Sequence, residues 1–340
     1  MIIRSKAPLR IGLAGGGTDV SPFSDLYGGA ILNATISLFA TATIEPTDDG
    51  KIVFHAMDKE EMESMDSAMQ LPVDGRLELL KGIYNRVVRD FTKKPLSFRL
   101  TTYVDVPAGS GLGTSSTLVV AALGAFVEWL RLPLGEYDIA HLAYSIERED
   151  LMQAGGKQDQ YAATFGGVNY MEFYSGDKVI VNPLRIKQHY LNELENNLLL
   201  YYTATSRFSS SIIEQQSKNV VDKNMKSIEA MNNLKEQSVL MKEALLKGNI
   251  DAIGEILDIG FKNKKQMAEG ISNNLMDDIY NAAKKAGASG GKISGAGGGG
   301  FMIFYCPGVT RYNVMNALKS FGGEFKKYSF TKGGLTTWSI

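Results

Sequence analysis

From residue 96 to residue 106, apolar and polar positions alternate. Leu96, Phe98, Leu100, Thr102, Val104 and Val106 fall on one side, and Ser97, Arg99, Thr101, Tyr103 and Asp105 on the other. A period of two predicts a half-buried strand. Residues 117–130 are then mostly apolar and free of proline, long enough for a helix. Between them lies Pro107-Ala108-Gly109-Ser110-Gly111-Leu112-Gly113-Thr114-Ser115-Ser116, a glycine loop leading into a helix N-terminus.

The same reading extends along the chain. Residues 2–13 predict a first strand, stopped by Gly15-Gly16-Gly17. Residues 30–44 predict one or two strands ending at Pro46, joined through Asp48-Asp49-Gly50 to Ile52-Val53-Phe54 as a hairpin. The acidic, Met-rich stretch 56–70 reads as a solvated loop or short helix. Helical spacing recurs over 76–91 and 134–151, the second with Ile139, Leu142, Ala143 and Ile146 on one face. A break at Gly155-Gly156 opens another short helix, and a strand is expected over 168–173. Residues 197–205 predict a strand and 206–248 a long polar helical region. Helices follow over 250–267 and 274–285, the latter capped by Asn273 and closed by Gly287. A strand at 301–305, a helix at 312–321 and a closing hairpin of 325–330 with 335–338 complete the prediction.

At 340 residues the chain is long for one core and suggests two domains, with a boundary near 185/186: residues 1–185 and 186–340. A net charge of −1 implies neither nucleic acid nor an anionic membrane as partner. Cys306 is the only cysteine, so no intrachain disulfide can form, which fits a reducing cytoplasm. His55, His141 and His189 are scattered and offer no metal cluster. The first residues lack the apolar core of a signal peptide. No apolar run approaches the roughly 20 residues of a membrane span.

Glycine is concentrated at three strand ends: Gly15-Gly16-Gly17, the central loop, and Gly295-Ala296-Gly297-Gly298-Gly299-Gly300. A glycine loop before a helix brings bare backbone and unpaired N–H groups to one point, which suits a phosphate. The central loop lacks the lysine of a P-loop, and its third glycine comes one residue early for a dinucleotide fingerprint. Taken alone, each loop reads equally well as a tight turn, Asp19 and Asp159 as turn or cap residues, and the run from Glu147 to Asp150 as a solvated helix face.

The combination resembles the GHMP kinases. Ala7-Pro8-Leu9-Arg10 with Gly15 and Thr18-Asp19 is similar to their first motif. Pro107-x-Gly-x-Gly-Leu-Gly-Thr-Ser-Ser is similar to their ATP loop, and Lys292-Ile-Ser-Gly-Ala-Gly-Gly-Gly-Gly-Phe to their third motif. The resemblance implies a two-domain α+β fold, with an N-terminal half like domain 2 of ribosomal protein S5 and a ferredoxin-like C-terminal half. It places ATP at Pro107, Gly109, Ser110, Gly111, Leu112, Gly113, Thr114, Ser115 and Ser116, and Mg2+ at Ser115 and Glu147. Asp159 stands at the position of the catalytic aspartate, as base or orienting group. Arg10 stands where relatives have a cation beside the reacting groups. Substrate is expected against Gly15, Gly16, Gly17, Thr18, Asp19, Ser294, Gly295, Gly297 and Gly298.

Gly16-Gly17 replaces the Glu-His of galactokinase, which argues against galactose. Ala-Gly-Gly-Gly-Thr-Asp with Gly-Lys-Gln-Asp-Gln-Tyr-Ala-Ala looks more like the bacterial heptose kinases of this family. That likeness implies transfer of the γ-phosphoryl group to the anomeric hydroxyl of D-glycero-D-manno-heptose 7-phosphate. A phosphorylated sugar needs a second cationic site, for which Arg207 is the first candidate and Lys157 the reserve. The rivals are a kinase for fucose or another hexose, a decarboxylase of the same fold, and a non-catalytic binding protein. The resemblance leaves a homodimer open.

Overall fold

The computed structural model describes residues 1–205 and 210–340. In the first part of the chain the elements are β1 (Ile3–Ala14), α1 (Phe23–Tyr27), β2 (Gly29–Pro46), β3 (Lys51–Ala56), β4 (Glu61–Asp66), α2 (Glu78–Val87), β5 (Phe98–Val104), α3 (Thr114–Leu130), α4 (Glu136–Ser145), α5 (Gln158–Phe165), β6 (Val168–Phe173) and β7 (Val179–Pro183). There follow α6 (Gln188–Asn197), β8 (Leu198–Tyr202), α7 (Ser210–Val221), α8 (Met225–Lys247), α9 (Ala252–Lys264), α10 (Asn274–Lys285), β9 (Gly290–Ile293), β10 (Phe301–Tyr305), α11 (Arg311–Leu318), β11 (Glu324–Lys326) and β12 (Thr336–Ser339).

The strands form an eight-stranded sheet and a four-stranded sheet. The first runs β12-β1-β2-β5-β3-β4, with β6 and β7 extending from the other end of β2. Its pairs are antiparallel except β3 with β5. The second runs β11-β8-β10-β9, all antiparallel. The alternation of residues 98–104 is realised in β5, whose inward side chains are buried and outward ones open. Phe98 on that strand packs against Phe54, Tyr84, Phe126 and Trp129, tying β3, α2 and α3 together. α3 is buried along most of its length, as its nearly all-apolar sequence requires, and lies across β1 and β2.

Several expected elements differ. The turn at Asp48-Asp49-Gly50 does not make a hairpin between β2 and β3. β3 pairs in parallel with β5 and antiparallel with β4, so β5 lies between them. Residues 61–66, expected to be loop or helix, form β4, whose residues alternate between half-buried and exposed. Within the expected single helical region 206–248, the described residues form two helices, α7 and α8, broken before Asn224, whose side chain caps α8 by accepting from the Ser227 N–H. The closing hairpin does not form either: β11 pairs with β8, whereas β12 returns to the first sheet beside β1. A boundary at 185/186 therefore separates β12 from its own sheet. One apolar core holds Leu9, Val120 and Phe126 of the first part together with Leu200, Leu245 and Phe301 of the second.

Candidate active site

The central and third glycine loops meet the first strand at Gly111. Its carbonyl accepts from Arg10 Nη1 at 2.8 Å and from Ser294 Oγ at 2.9 Å. The approach admits no side chain. A Cβ on Gly111, where φ is +85°, would lie 2.5 Å from the Ser294 carbonyl oxygen, and one on Gly295 would lie 2.6 Å from the Gly111 Cα. Backbone bonds seal the junction: the Arg10 N–H donates to Leu112, and the Phe301 N–H to Ser110. The first strand, the central loop and the third loop thus form one wall of a cleft of about 800 Å³.

Asp159 sits in the first turn of α5 and faces this junction. Arg10 reaches it from β1, with Nε at 2.7 Å and Nη2 at 2.6 Å from Oδ1. Among the described residues Oδ2 accepts no hydrogen bond, and it lies 3.1 Å from where a Cβ on Gly113 would be. Asp19 is buried beside the pair, its Oδ2 accepting from the Gln158 N–H at 2.9 Å. Burial, with the Asp159 charge adding to it, raises the carboxyl of Asp19 above its ordinary range.

Glu147 lies on a π-helical turn, Ile146–Asp150, that continues α4 and carries the carboxylate inward. Ser116 Oγ donates to its Oε1 at 3.0 Å, and Gln160 Nε2 donates to its Oε2. Burial raises its pKa, against the opposing Arg148 guanidinium 3.8 Å away.

Ala108, Gly109, Gly111, Gly113, Thr114, Ser115 and Ser116 of the central loop line the cleft, as do Gly17, Asp19, Ser294, Gly295 and Gly297 of the other two. Ser110 and Leu112 are fully buried and turn behind the loop. Pro107, Gly15, Gly16, Thr18 and Gly298 also lie off the cleft surface. Thr18 closes its own turn, its hydroxyl bonded to the Gly15 and Ala30 carbonyls. The hydroxyl bonded to Glu147 belongs to Ser116, while Ser115 is exposed to the cleft. Lys157 turns away from the cleft. Its ammonium pairs with Asp177 at 2.9 Å and Asp25 at 3.4 Å, and rests over the Tyr144 ring. It is thus neutralised where it stands. Arg207 lies outside the described residues.

Gln160 and Lys264 were not among the expected site residues, and Lys292 stood only within the third motif. Gln160 bridges Glu147 and Ser116, and its place in the Gly-Lys-Gln-Asp-Gln run was the available signal. Lys264, the last residue of α9, enters the cleft from the second part of the chain and donates to the Gly295 carbonyl at 2.6 Å. Lys292 donates to the Gly12 carbonyl at 3.0 Å. Both lysines are buried, and burial together with neighbouring cations lowers their pKa, to about 8 for Lys264 and well below the usual value for Lys292.

Magnesium characteristically takes one or two carboxylates, with water and phosphate oxygens completing its shell. The described residues offer no cage of three or more His, Cys, Asp or Glu. A single carboxylate, Glu147, preset by two hydrogen bonds beside the open Ser115 hydroxyl, fits such a partial shell.

The family model for the GHMP kinases N terminal domain matches residues 78–167, and that for GHMP kinases C terminal matches residues 241–324. The chain is 51% identical to a D-glycero-alpha-D-manno-heptose 7-phosphate kinase of Campylobacter jejuni, covering 99% of both chains. It is 47% identical, with a TM-score of 0.86, to a crystal structure of a D-glycero-D-manno-heptose 1-phosphate kinase from Bacteroides thetaiotaomicron, again over 99% of each chain. A galactokinase of Lactococcus lactis crystallised with galactose shares the fold at a TM-score of 0.78 and 18% identity, over 98% of this chain and 95% of that one. The chain belongs to the GHMP kinase family and is an ATP-dependent phosphotransferase.

Proposed function

We propose that the protein transfers the γ-phosphoryl group of ATP to the anomeric hydroxyl of D-glycero-D-manno-heptose 7-phosphate, giving the 1,7-bisphosphate. The observation that carries this reading is the 51% identity to the Campylobacter jejuni heptose 7-phosphate kinase along the whole of both chains. The loop Gly15-Gly16-Gly17, which has no side chain to reach a sugar hydroxyl, supports it.

The roles follow from the site. Asp159 Oδ2 accepts or orients the proton of the attacking hydroxyl while Oδ1 is held by Arg10. Arg10 fixes that carboxylate and faces the charge that develops during transfer. The N–H groups of the central loop and of the first turn of α3 hold the triphosphate. Glu147 and Ser115 would hold Mg2+, which when bound neutralises phosphate charge. Fixed orientation and preset charge supply most of the acceleration in such a reaction. Asp19 holds a sugar hydroxyl.

An ADP-release assay tests the reading, run over heptose 7-phosphate, heptose 1-phosphate, fucose, mannose, galactose and mevalonate. The expected result is a kcat/KM highest for heptose 7-phosphate. Preference for a free hexose, or for the 1-phosphate, would overturn it.

A further inference from the structure

Arg10, Lys264, Asp19 and Asp159 line the cleft, and Lys292 lies close to Lys264 behind Gly16. Arg10 is committed to Asp159. Lys264 and Lys292 are not committed to any carboxylate: among the described residues each ammonium makes one hydrogen bond, to a backbone carbonyl. The stretch 206–209 contains no acidic residue that could pair with them. An ammonium has three donors, so two on each lysine are unused. The lysines beside Lys264 behave differently. Lys262 pairs with Asp258 and Lys265 with Asp277, both at the surface. Only Lys264 turns inward, where it is 4% exposed. A buried ammonium without an anion is costly to keep, and such a group in a cleft marks a binding site more often than a packing accident.

The two ammoniums face the same glycine. A Cβ on Gly16 would lie 3.7 Å from Lys264 Nζ and 3.8 Å from Lys292 Nζ. Both ammoniums therefore lie within ordinary contact distance of one backbone position of the first loop. The triphosphate has its own N–H donors at the central loop, and Arg10 is engaged by Asp159, so neither accounts for this pair.

We propose that Lys264, with Lys292 beside it, binds the phosphate that the sugar substrate already carries. This rests on the sugar-phosphate reading above, and it assigns to α9 of the second part of the chain the choice between phosphorylated and free sugars. A phosphate placed there takes up the unused donors of both lysines and balances the excess positive charge.

Steady-state kinetics of the full chain with Mg-ATP and heptose 7-phosphate test it, comparing wild type, Lys264→Met and Lys264→Arg. Loss of one charge-assisted contact should raise the KM for the sugar phosphate about 10- to 100-fold in Lys264→Met. The KM for ATP should stay near wild type, and Lys264→Arg should recover part of the loss. Calorimetry with inorganic phosphate as probe should show binding to wild type that Lys264→Met loses. A rise in the KM for ATP instead would give the lysines to the nucleotide and overturn the assignment. So would unchanged phosphate binding together with an unchanged sugar-phosphate KM. If wild type itself turns over free heptose as well as the 7-phosphate, the sugar-phosphate reading fails and this inference falls with it. Normal wild-type preference with an insensitive Lys264→Met ends this inference alone.

Discussion

At the scale of single residues, the site is a set of charges held in place before any ligand arrives. Asp159 is anchored through one oxygen by Arg10, so replacing its carboxylate should affect chemistry more than nucleotide binding. Asp159→Asn is expected to lower kcat by roughly 10²- to 10⁴-fold, the usual worth of a positioned proton acceptor. Its KM for ATP should change little, and a variant with near-normal kcat would remove Asp159 from the reaction. Lys264 makes a different prediction. Burial depresses its pKa, the Arg10 charge adds to this, and Asp19 opposes both. The folded value is about 8 against an ordinary 10.5, so between these pH values the unfolded chain holds the extra proton. Burial of the charged lysine therefore costs stability below pH 8, about 3 kcal/mol for that displacement, and the cost fades as pH rises above it. Ligand-free Lys264→Met should melt higher than wild type at pH 7, with the gap narrowing toward pH 10. A gap that widens with pH would contradict the burial argument. Asp159, Arg10 and Glu147 were legible because motif spacing marks them. Lys264 was not: it lies in the polar run Lys262-Asn263-Lys264-Lys265, and only the direction in which α9 ends separates it from its neighbours. Lys157 carried the motif signal but is claimed by Asp25 and Asp177, distant in sequence or outside the motif.

At the scale of elements, the glycine loops act by letting backbones touch. Gly111 and Gly295 are in mutual contact, and a methyl group on either intrudes on the other's chain. Gly111→Ala places a side chain at φ +85°, a strain of about 1–2 kcal/mol before any clash. It should also push Ser294 away from the loop. The expected outcome is a lower melting temperature together with a raised KM for ATP. A variant with normal ATP affinity would show that the contact between the loops is not needed to shape the phosphate cradle. Strands and helices with strong local periodicity were readable from sequence: β1, β5, β10, α3 and α10, the last with its Asn273 cap bonded to the Met276 N–H. β4 was hidden because acidic and Met residues at 61–66 mimic a solvated loop, and its strand form depends on β3 alongside it. β9 was hidden by its glycines, whose place is set by β10. The hairpin expected between β2 and β3 failed for the same reason. Turn residues announce a reversal, but partner choice is decided by β5 inserting between them.

At the scale of the whole molecule, the two sheets are not independent. β12 crosses back to pair with β1 from Ile3 to Lys6, and Leu335 just before it packs against Gly124 of α3. A shared core spans both parts of the chain. Unfolding in urea should accordingly be one transition. Truncation after Gly334 should lower its midpoint while leaving it single, because a strand and its packing are lost from the first sheet. Two separated transitions in the intact protein would contradict the shared core. No local pattern in 335–340 names β1 as the partner, which is why a closing hairpin was the natural expectation. Lys264 at the end of α9 reaches the first glycine loop and lines the cleft from the second part of the chain.

The most direct test of the account is the identity of the product. Full-length protein with Mg-ATP and D-glycero-D-manno-heptose 7-phosphate should be followed by ³¹P NMR. A new resonance from a phosphate on the anomeric carbon should grow with ADP, while the 7-phosphate signal persists on the same molecule. ADP formed with no anomeric phosphate, or with phosphate placed on another hydroxyl, would contradict the placement of the sugar before Asp159.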